Sequence, residues 1–266
     1  MKKYLYILVV LISFSSCSEY QKALKTEDIA SKFKMGTELF EAGKFAKANR
    51  LFAQIVPNYR GKPQAEKLMY MYSKTFFEMD DYYLAGYQFE RFTNAYPKSE
   101  KIEEAAFLSV KSYYTLSPVY TKDQKDTKDA IEKLQLFINT YPKSEYIAEA
   151  NKMVKELDYK LEQKAFSIAK QFNTISDYKA SIKSFDNFLY EYPGSSLRES
   201  ALYYRLDSAY KLAVNSVPYK KESRLKIAQT YISSFVKAYS SSNNVEEANQ
   251  MLQEVNNQLQ SFNAKS

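Results

Sequence analysis

A small residue and a bulky apolar residue recur at one fixed spacing along the chain. In five places a small residue is followed four positions later by a large apolar residue and, seven positions after that, by a tyrosine. The sets are Ala48/Phe52/Tyr59, Ala85/Phe89/Tyr96, Ala130/Leu134/Tyr141, Ser181/Phe185/Tyr192 and Ala228/Ile232/Tyr239. Residues four apart share one face of an α-helix, and a small residue lets a neighbouring helix approach closely. The pattern therefore predicts five pairs of antiparallel helices that stack on one another.

The ends of these helices are marked by a recurring phrase. Tyr96 and Tyr141 open the sequence Tyr-Pro-Lys-Ser, Tyr192 opens Tyr-Pro-Gly-Ser, and Tyr239 opens a version that has lost the proline. The residue before proline disfavours the α region, so the helix should end at the tyrosine, and the serine is a natural N-cap for the next helix. The predicted pairs are 28–41 with 45–56, 62–79 with 81–95, 100–116 with 126–140, 145–172 with 176–191, and 196–214 with 221–239. A last helix over 244–261 has one apolar stripe and is typical of a cap on a stack.

The first residues have the order of an export signal. Two lysines follow Met1, an apolar run covers 4–14, and two serines lead directly to Cys17, the one cysteine in the chain. The apolar run is shorter than the ~20 residues that a membrane-spanning helix needs. It fits the hydrophobic region of a secretory signal instead.

The position of Cys17 resembles a lipobox, with Phe14 where leucine is commonest. The resemblance implies that the signal is removed and that Cys17 is acylated. Ser18 is not the aspartate that often marks retention at the inner membrane, so the outer membrane is favoured. An ordinary signal peptide with an incidental cysteine is the alternative. The predicted segments are a signal peptide over 1–16, a lipidated tether over 17–27, a repeat region over 28–243, and a capping helix with tail over 244–266.

Composition excludes several classes of protein. Five glycines and seven prolines are too few for an all-β fold, whereas 25 tyrosines and 17 phenylalanines can fill a helical core. The chain has no histidine and one cysteine, which removes histidine-containing triads, disulfides within the chain and the commonest metal sites. Asp80 and Asp81 fall between two predicted helices, where a turn is the simpler interpretation. We therefore predict no enzymatic activity, no cofactor and no metal site.

The charge of the chain is mildly basic. The formal net charge is +7, and removal of Lys2 and Lys3 with the signal leaves +5. The lysines are scattered among acidic residues rather than clustered. This distribution predicts a solvated surface and not nucleic-acid binding.

The first pair resembles the tetratricopeptide repeat. Gly36, Leu39, Ala48 and Phe52 occupy the spacing of that family's signature positions, and Gly43 falls in the turn between the helices. Two departures are the absence of the signature tryptophan and repeats that mostly exceed the usual ~34 residues. The resemblance implies an all-α, right-handed solenoid of about five divergent tetratricopeptide-like helix pairs.

The combination of lipobox, divergent repeats and length resembles the BamD family of outer-membrane assembly lipoproteins, most closely over 30–115. That resemblance implies a lipid-anchored scaffold at the outer membrane that faces the periplasm. Its expected partners are the periplasmic domains of the barrel-forming (BamA-like) assembly subunit and unfolded outer-membrane protein substrates. The alternative is another periplasmic tetratricopeptide adaptor lipoprotein that acts in cell-envelope organisation or division.

In such repeats the first helix of each pair lines the face on which peptides bind. We predict a peptide-binding stripe of lysines and aromatic residues on the first helices of pairs two and three. Its members are Lys67, Tyr70, Lys74, Phe77, Phe107, Lys111 and Tyr114. The stripe would suit an extended peptide with aromatic side chains and a negative terminus. The alternative is that the aromatic rings pack between repeats and the lysines are merely solvated.

Overall fold

The computed structural model describes residues 19–263, so the predicted signal and Cys17 lie outside the described residues. Every regular element in this range is an α-helix. Residues 19–25 form α1. The others are α2 (Ile29–Glu41), α3 (Phe45–Tyr59), α4 (Ala65–Glu78), α5 (Tyr82–Ala95), α6 (Ile102–Leu116), α7 (Lys125–Thr140), α8 (Ile147–Thr174), α9 (Tyr178–Glu191), α10 (Arg198–Val214), α11 (Pro218–Ala238) and α12 (Val245–Asn263). The predicted all-α solenoid of helix pairs is confirmed.

The chain divides into two compact units. Unit 1 is the chain up to Pro118 together with Asp123–Leu157, and unit 2 is Val119–Lys122 together with the chain from Asp158 onward. The boundary between Leu157 and Asp158 falls within α8. Each unit is a succession of antiparallel helices in which each helix packs on the next.

In unit 1 the recurring small and bulky residues form the core as predicted. Ala48 and Phe52 on α3, and Ala85 and Phe89 on α5, are fully buried. Ala130 is equally buried on α7, where it shares an apolar cluster with residues of α6 and of the first turns of α8. These positions hold consecutive pairs together, because each buries its apolar surface against both neighbouring helices.

Unit 2 repeats the arrangement and ends in the predicted cap. Phe185 on α9 and Ile232 on α11 are fully buried. The stripe on α12 packs against α10 and α11, with Ala248 and Val255 fully buried and Leu252 half-buried. The outer positions of α12 are polar, so its apolar face is covered while the rest faces water.

The helices end at the tyrosine of the recurring phrase, as predicted. The serine, however, lies in the turn before the next helix and is not its N-cap. Tyr96 is the C-cap of α5 and has a non-helical backbone, with φ −129° and ψ 62°. The N-cap of α6 is Lys101 and not Ser99. Ser99 Oγ accepts a hydrogen bond from the Lys101 N–H at 3.0 Å. The prediction of serine as N-cap is therefore wrong, because serine closes a turn that precedes the helix.

Helix α3 runs past the predicted end at residue 56. It includes Pro57 and ends at Tyr59, whose side chain is 6% exposed. The Tyr59 ring stacks on Phe33 of α2 with centroids 5.3 Å apart. Burial of this ring holds the last turn in helical form although proline removes one of its backbone donors.

The described part of the predicted tether is helical. Tyr20 and Ala23 of α1 are buried and contact Leu51 on α3. The Lys47 ammonium lies 5.3 Å from the centroid of the Tyr20 ring. The segment that would follow an acylated Cys17 thus packs on the first helix pair from its third residue, Tyr20, onward.

Gly36 permits a close approach of α2 to the Phe52 ring of α3. A Cβ atom at this position would lie 2.6 Å from Cε1 of the fully buried Phe52 ring. We expect Gly36→Ala to lower the free energy of unfolding by about 1–3 kcal/mol through overpacking. Gly194→Ala is the matched control, because no atom lies within 4 Å of a Cβ built there. Urea unfolding of both variants would check this, and equal stability of the two would contradict it.

Candidate peptide-binding surface

The predicted stripe lies on α4 and α6 of unit 1. Lys67 at the start of α4 is exposed, whereas Tyr70, Lys74 and Phe77 are half-buried. The Phe77 ring contacts Tyr82 at 5.5 Å between centroids. On α4 the stripe is therefore exposed at its N-terminal end and packed at its C-terminal end.

Tyr70 connects two successive first helices. Its ring packs edge-on against Phe89 and Phe92 of α5, at 6.2 and 5.7 Å between centroids. Its hydroxyl donates a 2.5 Å hydrogen bond to Oε1 of Glu104 on α6. Burial, and then this bond to a carboxylate, raise the pKa of the Tyr70 hydroxyl far above its ordinary value.

Glu104 is the centre of a small charge network. Lys101 Nζ lies 2.9 Å from its Oε2 and Lys74 Nζ lies 3.9 Å from its Oε1. Burial alone would raise the pKa of this carboxyl, but the hydrogen bonds from Tyr70 and Lys101 outweigh that effect and lower it. Glu104 therefore stays ionised and balances the charge of Lys101 and of Lys74, which belongs to the predicted peptide-binding stripe.

The α6 part of the stripe is also engaged within unit 1. Lys111 Nζ lies 2.9 Å from Oε1 of Glu149 on α8, and the Tyr114 hydroxyl donates to Glu156 on the same helix. That bond, with burial, raises the pKa of Tyr114 to about 12. Phe107 is 3% exposed and stacks on Tyr146 at 4.3 Å, which places it in the core rather than on the surface.

The tyrosine–glutamate bond between successive first helices recurs in unit 2. Tyr203 on α10 donates to Glu247 on α12 at 2.5 Å, and Tyr210 donates to Glu254 about two turns further along the same two helices. Sequence reasoning selected tyrosines and lysines but missed Glu149, Glu156 and these acceptors. A sequence pattern could have identified these acceptors, because each tyrosine is followed one repeat later, 34 to 44 residues further along the chain, by the glutamate that it contacts.

A groove of about 440 Å³ lies beside the exposed end of the stripe. Its charged lining residues are Lys67 and Lys101 together with Glu41 and Glu66. Lys101 is paired with Glu104, and Glu66 accepts a 2.6 Å hydrogen bond from Ser99 Oγ. Aromatic and apolar side chains complete its walls, namely Phe40, Pro63, Tyr70, Met71 and Phe92. Such a surface can take an apolar side chain while an exposed lysine attracts a carboxylate.

No group of three or more Cys, Asp or Glu side chains within residues 19–263 is arranged to hold a metal ion. Asp81 caps α5 by accepting a hydrogen bond from the Leu84 N–H at 3.2 Å, and Asp80 next to it has a φ of 60°. These two residues therefore form a turn, as predicted. Over the same range no helix is both long enough and apolar enough to cross a bilayer.

Residues 26–183 match the family model named YfiO, described as an outer membrane lipoprotein. The match spans more than half of the chain and includes all residues that line the groove. The chain belongs to the YfiO family of outer membrane lipoproteins. The predicted kinship with BamD-like lipoproteins is thereby confirmed at the level of the family.

The comparison with solved structures adds only distant likenesses. The TPR2AB domain of yeast Sti1, in a complex described as pHSP90, is 14% identical with a TM-score of 0.37, covering 86% of this chain and 98% of that one. A Podospora anserina protein assigned as a kinesin light chain, with nearly identical TPR-like repeats, is 12% identical with a TM-score of 0.33, covering 90% and 97%. TM-scores below 0.5 give these likenesses no bearing on function. No curated protein matches this YfiO-family chain.

The network around Glu104 predicts a pH-dependent stability. Because the folded-state pKa of Glu104 is lowered, its contribution is present above the unfolded-state pKa of a glutamate, ~4.3, and is lost as the pH falls through the folded-state pKa. We expect Glu104→Gln to lower the free energy of unfolding by about 1–2 kcal/mol at pH 7 and by much less at pH 3.5.

Urea unfolding at the two pH values would measure this difference. Glu103→Gln is the matched control, since Glu103 is the exposed neighbour on the same helix. An equal loss of stability for Glu104→Gln at both pH values would show that its charge is irrelevant.

Proposed function

We propose that the chain is a non-enzymatic, lipid-anchored scaffold of the outer-membrane β-barrel assembly machinery. It would bind the periplasmic domains of the barrel-forming subunit and receive unfolded outer-membrane proteins. The observation that carries this proposal is membership of an outer membrane lipoprotein family over 26–183, in the region that also holds the groove at Lys67.

The anchor of this scaffold would be Cys17, at the end of the predicted signal over 1–16. Acylation there would attach the chain to the outer membrane with the repeats in the periplasm. The close packing of α1 on α3 supports this, because only two residues, Ser18 and Glu19, then separate the anchor from the buried Tyr20. Several acyl chains hold a protein stably at a membrane, whereas a single chain binds marginally.

The groove beside Lys67 would take part of an extended substrate segment. Phe40 and Tyr70 offer aromatic walls to an aromatic side chain, and Lys67 offers an exposed charge to a terminal carboxylate. Lys74, Lys111 and Tyr114 already contact glutamates, so their part would be to shape the neighbouring surface.

Affinity purification of the chain from membranes in mild detergent would test the scaffold role. We expect an outer-membrane barrel protein with periplasmic domains to co-purify, and intact-mass measurement of the purified chain to show acylation at Cys17. Another lipoprotein with the same type of anchor serves as the control. Recovery of cell-division or envelope proteins without any barrel protein would favour the alternative adaptor role.

A direct binding assay would test the groove. We expect Lys67→Glu to weaken the binding of a strand peptide with alternating aromatic residues and a free C-terminus by about fivefold or more, because it replaces an attraction by a repulsion. Lys128→Glu, at an exposed lysine of α7 outside the groove, is the matched control. Lys74→Ala would report on the neighbouring charge network. Unchanged affinity of Lys67→Glu in fluorescence anisotropy would remove the groove from the proposal.

A further inference from the structure

A second cavity lies on the side of unit 1 that the second helices form. It has a volume of about 520 Å³ and lies between α3 and α5. Its floor is apolar and comes from the first turns of α4, with Ala65, Leu68 and Met69. Tyr59 and Tyr96 close its ends. The cavity can therefore enclose one apolar side chain of a ligand.

The only charged residues that line this cavity are two arginines, Arg60 and Arg91. Both are exposed. Arg91 donates to the Gln88 side-chain oxygen at 3.3 Å and lies 5.8 Å from the centroid of the Tyr87 ring. Within residues 19–263 neither arginine has a carboxylate at ion-pair distance. Two positive charges thus meet at the mouth of an apolar cavity without an internal counterion.

A neighbouring groove differs from the arginine cavity because its cation has an ion-pair partner. The groove has a volume of about 370 Å³, lies between α5 and α7, and shares Asn94 with the first cavity. Its cation, Lys133, is paired with Glu90. Leu136 at its rim is 67% exposed. The two grooves form one continuous surface, with unbalanced positive charge at one end and apolar area at the other.

We propose that this surface binds an extended segment of a partner protein in which a carboxylate side chain is flanked by apolar side chains. Arg60 and Arg91 would hold the carboxylate, because the guanidinium group presents paired donors that match its two oxygens. One apolar side chain would enter the cavity over Leu68, and the next would lie on Leu136. Charge complementarity selects an acidic segment, and the apolar floor excludes one without apolar residues.

This binding surface is separate from the groove beside Lys67. The two share no lining residue. Its existence does not depend on the scaffold role, so either proposal can fail while the other stands.

The test uses the full chain and two synthetic peptides. Both are extended ten-residue peptides with leucine at alternate positions, acetylated and amidated so that side chains carry the only charges. One has a central pair of glutamates and the other has glutamines. We expect the glutamate peptide to bind in fluorescence anisotropy and to bind more weakly as salt increases. We also expect the double variant Arg60→Glu/Arg91→Glu to weaken binding by about tenfold or more.

Two further variants complete the design. Arg50→Glu changes an exposed arginine of α3 outside the cavity and should leave affinity for the glutamate peptide unchanged. Arg60→Gln/Arg91→Gln removes the charges without adding acids and should retain the helical circular dichroism of the parent. Equal binding of the glutamine peptide, unchanged affinity in both double variants, or no binding of the glutamate peptide at millimolar concentration would each overturn the proposal.

Discussion

Close approach of neighbouring helices, permitted by a small residue opposite a bulky one, is the contact on which each unit depends. Gly36 lies so near the Phe52 ring that a single added carbon would overlap it. Ala48, Ala85 and Ala228 occupy fully buried positions one turn before a large apolar residue. A helix pair closed in this way still has apolar surface on its flanks, which only another pair can cover. Stacking is the consequence, and α12 ends it with a polar outer face.

The same stacking decides which charges are available to a partner. On the first-helix side, tyrosines and lysines meet glutamates from the next first helix, as in the contacts of Tyr70 and Lys74 with Glu104. These bonds orient the side chains and cancel most of the charge. Lys67 remains exposed beside a groove, and on the second-helix side Arg60 and Arg91 remain without a carboxylate partner. Among the cations that line the three grooves described above, Lys67, Arg60 and Arg91 are thus the ones without an ion pair.

A scaffold for other polypeptides needs surfaces of this kind. It must offer apolar area for affinity, and it needs unbalanced charge for orientation and for discrimination among partners. Two grooves of different composition on one unit would let a chain of the YfiO family hold different segments without competition. The helix at 19–25, packed on Leu51, would keep such surfaces at a short and defined distance from an anchored N-terminus.

The amino-acid sequence by itself determined the all-α class, the helix pairs and most helix ends. These features depend on local spacing, since a small residue, a ring and a tyrosine at fixed intervals define one helical face, and a proline defines where it ends. It could not determine the end of α3 beyond Pro57, because that turn is held by a ring contact with Phe33.

Only the tertiary structure decided the chemistry of the surfaces. The sequence predicts the same surface role for Phe107 and Lys67, because both belong to the predicted stripe. In the structure Phe107 is buried and stacks on Tyr146, whereas Lys67 lines a groove. Arg60 and Arg91 are 31 positions apart and became neighbours at one cavity only because α3 and α5 flank α4. A lysine is neutralised only if a carboxylate, such as that of a glutamate of the next repeat, lies next to it. The spacing of the two residues along the chain does not show whether it does.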